Sequence, residues 1–247
     1  MIKAFVFDAY GTLYDTQSVT DVIGAAFPDR ADYISQVWRM KQLEYSWLRS
    51  MMGRYEDFWT VTREALEYTL GTIGLIPEPG LFDSIADAYN KLAPYPDAPA
   101  ALEALAPFRL AILSNGSPAM LAQLTRHSGL ADRLEKVISV DSKRVFKPDP
   151  KAYERVGEEL GLPPREVAFV SSNGFDVCAA ALAGFTVIRI ERVTPAALSR
   201  EIERSRVIAP ETMFKALRTQ AETCGAPPRY TVRSLAELPE LAKGFEP

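Results

Sequence analysis

The sequence predicts an α/β fold, a doubly wound parallel sheet with a helical bundle inserted after its first strand. Two observations carry this. Short, nearly continuous apolar runs recur with helical stretches between them, the pattern of strands buried on both faces and joined by crossover helices. Between the first and second runs lie about a hundred residues, far more than one crossover needs.

The first run, IKAFVFD at 2–8, turns polar at Asp8. Residues 16–94 are then helix-like and rich in aromatics, and are expected to form an inserted cap on a core made of 1–15 and 95–247. Within the cap, QVWRMKQLEYSWLRSMM places Val37, Leu43, Leu48 and Met51 among Trp38, Tyr45 and Trp47, which reads as packing inside a helix bundle. Further strands are expected at 109–115, 136–140, 166–172 and 186–191, with a weaker one at 230–232. Thr194 before Pro195, and Pro210 before Glu211, are helix-entry signals. They mark 194–222 as a two-helix excursion whose apolar side needs covering, which points to subunit contact in a homodimer.

Composition narrows the function. The 247 residues are 47% hydrophobic and 24% charged with a net charge of −4, which suits an enzyme-sized globular chain. The absence of a dense Lys/Arg block argues against nucleic-acid or anionic-membrane partners. No apolar run is long enough to span a bilayer and the opening run is too short for a signal peptide, so a cytoplasmic location is expected. Cys178 and Cys224 lack metal or redox spacing and read as reduced thiols. His127 is the sole histidine and sits near an expected helix end, so catalysis should rest on carboxylates, amides, hydroxyls, Lys or Arg.

In an open parallel sheet, ligands bind beyond the carboxyl ends of the strands. Four sets of residues stand there: Asp8 with Ala9-Tyr10-Gly11-Thr12, Ser114 with Asn115, Lys147 with Pro148, and Ser171-Ser172-Asn173 with Asp176. Taken singly, each has an ordinary explanation as a cap, a turn or a surface lysine.

Taken together and in order, DAYGTL (8–13), LSNG (113–116), FKP (146–148) and VSSNGFD (170–176) resemble the haloacid dehalogenase superfamily, whose core is Rossmann-like. Phosphatases of that superfamily carry an Asp two residues after the nucleophile and a Gly-Asp pair that helps to hold Mg²⁺. Here those positions are Tyr10, and Ser171 with Ser172. Without a proton donor an alkoxide leaves poorly, whereas halide leaves as a stable anion. The resemblance is therefore strongest to the L-2-haloacid dehalogenases, which share the SSNGFD run and a W-R-x-K-Q-L-E-Y segment containing Arg39. Met40 departs from the Gln more often found there and is expected to bear on side-chain selectivity.

The resemblance implies hydrolysis of short L-2-haloalkanoic acids to D-2-hydroxy acids with inversion, through an aspartyl ester on Asp8, with no metal and no cofactor. It implies that Lys147 and Thr12 orient Asp8 and that Asp176, with Ser171 and Asn173, handles the hydrolytic water. Ser114 and the amides near Ala9 and Tyr10 would clamp the substrate carboxylate. Arg39, Asn115 and Phe175 would cradle the halide. Tyr10, Leu43 and Phe58 would wall the alkyl group, with Tyr153 as an orienting hydroxyl. A phosphatase or phosphomutase, and a noncatalytic binding protein, remain as alternatives at this point.

Overall fold

The computed structural model describes residues 1–205, 208–220, 222 and 224–245. Residues 206, 207 and 221 of the expected excursion lie outside the described residues. Six parallel strands form one sheet in the order β3-β2-β1-β4-β5-β6: β1 (Ala4–Phe7), β2 (Arg109–Ser114), β3 (Lys136–Ser139), β4 (Val167–Ser171), β5 (Thr186–Ile190) and β6 (Tyr230–Val232). The expected doubly wound sheet is therefore present, each strand equal to its apolar run or up to three residues shorter. Both β1 and β4 are buried along their whole length because they pair at the centre, with Phe7 opposite Val170. The strand order reverses between them, which opens a crevice at their carboxyl ends.

The chain between β1 and β2 carries α1 (Val19–Ala26), α2 (Ala31–Met52), α3 (Phe58–Thr72), α4 (Pro79–Asp87) and α5 (Ala98–Ala104). Helix α2 ends at Gly53, whose φ of 63° provides a left-handed stop. Helix α3 opens at Asp57, whose side chain accepts from the Thr60 amide at 2.7 Å. The two pack against each other. After the second strand come α6 (Pro118–His127), α7 (Pro150–Leu160), α8 (Gly174–Leu182), α9 (Pro195–Arg204), α10 (Pro210–Thr219) and α11 (Leu238–Ala242). His127 is the last residue of α6, and Thr194 caps α9 by accepting from the Ala197 amide at 3.2 Å.

Helix α2 departs from the expected bundle packing. Leu48 and Met51 are exposed, Met51 at 75%, while Val37 and Leu43 are only half-buried. Its covered face carries Ser35, Arg39, Gln42 and Ser46, together with Ile34 and Trp38. Positions 35, 39, 42 and 46 recur at helical spacing and so share a face. Apolar spacing assigned the outer residues to the interior; α2 instead turns a polar stripe inward. The excursion also differs from a free projection: α10 packs on α2, and the Glu211 amide donates to Asp32 Oδ2 at 3.3 Å.

Candidate active site

Strand β1 delivers Asp8 to the crevice, and the Asp8 amide extends the ladder to Val170 O at 2.9 Å. A tight turn follows. Gly11 takes a φ of 85°, and the amides of Thr12, Leu13 and Tyr14 all donate to Ala9 O. A side chain at Gly11 would strain that turn. Among the described residues, no acceptor takes the amide protons of Ala9 and Tyr10.

The two oxygens of Asp8 are held differently. Oδ2 accepts from Thr12 Oγ1 at 3.0 Å and from Asn173 Nδ2 at 2.8 Å, whereas among the described residues Oδ1 meets only Lys147 Nζ at 3.3 Å. The same ammonium lies 2.9 Å from Asp176 Oδ2, and the Tyr153 hydroxyl donates to Asp176 Oδ1 at 2.6 Å. Asp176 sits in the first turn of α8 and is fully buried. Burial pushes its carboxyl above the usual aspartate range; Asp8 adds to the rise, and Lys147 and Tyr153 oppose it. Asn115 Oδ1 accepts from the Lys147 amide at 2.8 Å, and Ser171 Oγ accepts from the Asn173 amide at 3.1 Å.

Across a narrow gap stands α2. Arg39 is 2% exposed, and among the described residues no carboxylate lies within ion-pair distance of it. Its Nη1 donates to Gln42 Oε1 at 2.5 Å, its Nε has no acceptor among the described residues, and its guanidinium carbon stands 5.8 Å from the Tyr10 ring centre. The gap is lined by Asp8, Lys147 and Asn173 on the sheet side and by Arg39, Leu43 and Phe58 on the helical side, with Tyr10, Asn115 and Phe175 closing it. Phe175 meets Trp47 edge-on at 5.2 Å, and Phe58 lies 5.6 Å from Tyr10. The cavity of about 10 Å³ holds roughly one water.

A buried carboxylate facing a buried, uncompensated guanidinium can move negative charge from one to the other. The donor set does not suit Mg²⁺: the ammonium of Lys147 stands between the two carboxylates where a divalent ion would need them. Among the described residues, no group of three or more His, Cys, Asp or Glu side chains is placed to hold a metal ion.

Residues 2–184 match the family model of haloacid dehalogenase-like hydrolases. The (S)-2-haloacid dehalogenase of Xanthobacter autotrophicus is 58% identical over 245 residues, covering 99% of this chain and 96% of that protein. This chain belongs to the (S)-2-haloacid dehalogenase family. A second member, from Pseudomonas sp. (strain CBS-3), is 40% identical over 97% of this chain and 96% of its own length. The structure of the Xanthobacter autotrophicus L-2-haloacid dehalogenase with chloropropionic acid covalently bound superimposes with a TM-score of 0.95, at 57% identity and full coverage of both chains.

Against this family frame, the structure brings together Asp8, Thr12, Lys147, Asn173 and Asp176 as one hydrogen-bonded cluster, and sets Tyr10, Arg39, Leu43, Phe58, Asn115 and Phe175 around the cavity. Ala9, Ser114, Ser171 and Tyr153 do not line it. The Ser114 hydroxyl accepts from the Gly116 amide at 3.2 Å, and Tyr153 is spent on Asp176. Met40 is 42% exposed and also lies off the cavity. Sequence reasoning passed over Gln42, which touches Arg39; its signal was the helical spacing of buried polar residues on α2.

Proposed function

We propose that this chain hydrolyses short L-2-haloalkanoic acids to D-2-hydroxy acids through an ester on Asp8. The observation that carries the reading is the buried Asp8 carboxylate opposed across a narrow cavity by Arg39, a cation that has no carboxylate partner among the described residues. In the first step an Asp8 oxygen attacks C2 from behind, the carbon–halogen bond breaks, and halide leaves with the bonding pair. Oδ1 is the freer oxygen, since Oδ2 already accepts two hydrogen bonds. Arg39, Asn115 and Phe175 receive the halide, and inversion at C2 follows from the opposite approach.

In the second step water attacks Cγ of the ester, whose carbonyl oxygen is the former Oδ2; the Cγ–Oδ1 bond then breaks, and the D-2-hydroxy acid leaves with Oδ1, which takes up the proton that water gave to Asp176. Thr12 Oγ1 and Asn173 Nδ2 already point at that atom and stabilise its developing charge. Asp176 takes the water's proton, and Ser171 fixes Asn173 through its backbone amide. The Asp8 charge is one cause of the raised Asp176 carboxyl. Esterification removes that charge, so Asp176 ionises more readily in the intermediate that needs a base. The Ala9 and Tyr10 amides, without acceptors among the described residues, are suited with Ser114 to a substrate carboxylate. Fixing that end aligns C2 for in-line attack.

The inserted helices act as a cap in this reading, and a cavity this small requires them to move for substrate entry. The same reading includes a homodimer, for which Ile202, Ile208 and Met213 remain exposed on and between α9 and α10. A clean monomer by light scattering would overturn that part. Two cysteines in 247 residues, without the spacing of a disulfide framework, suit a cytoplasmic location. Halide release from L- and D-2-chloropropionate in EDTA tests the chemistry: release from the L-isomer alone, lost in Asp8→Asn, is expected. Release from neither isomer would overturn it.

A further inference from the structure

Gln42 is completely buried on α2, one turn beyond Arg39, and is tied at both ends of its amide. Its Oε1 accepts from Arg39 Nη1 at 2.5 Å, and its Nε2 donates to Thr62 Oγ1 at 2.7 Å. Thr62, also completely buried, donates its hydroxyl proton to Phe58 O at 2.6 Å. A carbonyl only accepts and a hydroxyl has one proton to give. The polarity of the relay is therefore set from the α3 backbone outward: Thr62 must accept from Gln42 Nε2, and the amide oxygen must face Arg39. The backbone oxygen of Thr62 accepts from Trp38 Nε1 at 2.8 Å, which ties the same turn of α3 to α2.

We propose that Gln42, held by Thr62, is a positioning residue that points the Arg39 guanidinium at the departing halide without cancelling its charge. This rests on the dehalogenase reading above. A carboxylate at position 42 could hold the guanidinium equally well, yet it would form an ion pair and spend the charge that the halide needs. A neutral amide supplies the geometry alone. An apolar residue would leave a buried cation with one less acceptor and free to turn.

The test uses the full chain and single-turnover release of halide from L-2-chloropropionate and L-2-bromopropionate, with bromide as a product inhibitor. Gln42→Leu and Gln42→Glu are expected to slow ester formation about tenfold or more. Chloride, the poorer leaving group, should suffer more than bromide, KM should change less than the rate, and inhibition by bromide should weaken. Gln42→Glu should be the worse of the two although it can still bond Arg39. Thr62→Ser, which keeps the hydroxyl, should retain wild-type behaviour. Thr62→Val keeps the shape and removes the hydroxyl, so it reads the same effect if Gln42→Leu does not fold.

Equal slowing of both substrates with unchanged bromide inhibition would show a merely structural role and overturn the inference. So would a Gln42→Glu variant indistinguishable from wild type. A wild type that releases no halide from either substrate would instead overturn the dehalogenase reading on which the inference stands.

Discussion

On the sheet side of the cavity each charge has an opposite partner, with Lys147 reaching both Asp8 and Asp176, while on the α2 side Arg39 is buried against the neutral Gln42 and Tyr10 with no carboxylate in ion-pair reach among the described residues. The first arrangement resembles an ordinary buried ion cluster, in which each member offsets the desolvation of the others. The second would be costly in a protein with nothing to bind. Their opposition is what suits the pair to the proposed displacement, in which ester formation would remove a negative charge at Asp8 and create one on a halide facing Arg39.

Substitution at Asp8 should break this comparison most completely. Asp8→Asn removes the attacking oxygen, and turnover should fall by at least about a thousandfold, with no ester adduct by intact-mass measurement. An adduct retained in the variant would move the nucleophile elsewhere. Next in size, Asp176→Asn should leave ester formation in place and slow hydrolysis by about 10²–10⁴-fold, so the adduct accumulates.

Stability separates a catalytic Asp176 from a structural one. Its folded-state pKa is raised above the ordinary aspartate value, with burial the largest cause. Such a group contributes stability that is fully present below the unfolded pKa of about 3.9 and is lost as pH rises through the raised folded value. At neutral pH an ionised Asp176 is thus a net cost, and Asp176→Asn should not lower Tm there. For the same reason the acid limb of ester hydrolysis should lie above the range of an ordinary aspartate, with burial still the main cause once Asp8 is esterified, whereas the alkylation step need not share it. A marked loss of Tm, or identical acid limbs for the two steps, would contradict this account.

Arg39 tests the opposite side. Arg39→Met removes the uncompensated charge, and halide release should slow by about 10²–10³-fold. A smaller effect with bromide than with chloride would tie the loss to the leaving group, and an effect equal for both would argue for a packing defect. Arg39→Lys should recover only part of the rate, since one ammonium cannot both bond Gln42 and retain the planar fork of donors.

The two sides were also unequally legible in the sequence. Strand ends are marked twice, by an apolar run and by the polar residue that stops it, so the sequence alone places Asp8, Asn115 and Asp176 in one crevice. The central strands owe their legibility to burial on both faces, which leaves β1 and β4 without a polar alternative. Helix α2 gives the opposite lesson. Hydrophobic spacing assumes that the covered face is the apolar one, and here the covered face bears Ser35, Arg39, Gln42 and Ser46 because it abuts a polar site. Tyr153 shows a further limit: its position near the site follows from Pro150 opening α7, but its hydroxyl's acceptor, Asp176, depends on how α7 and α8 pack.

Met40 supplies the smallest effect and the sharpest check on that lesson. As a departure from the family pattern beside Arg39, it reads in sequence as a selectivity residue. Yet consecutive residues on a helix point about 100° apart, and burying Arg39 turns Met40 outward, where it is 42% exposed. Met40→Gln should therefore leave the ratio of rates on two- and three-carbon L-2-chloro acids within about twofold of wild type, the scale of a surface substitution. Leu43, which does line the cavity, should behave differently: Leu43→Ala enlarges the alkyl wall and should favour longer acids. A larger shift in chain-length preference from position 40 than from position 43 would mean that α2 turns when substrate binds, and that its buried polar stripe is not the face that meets the alkyl group.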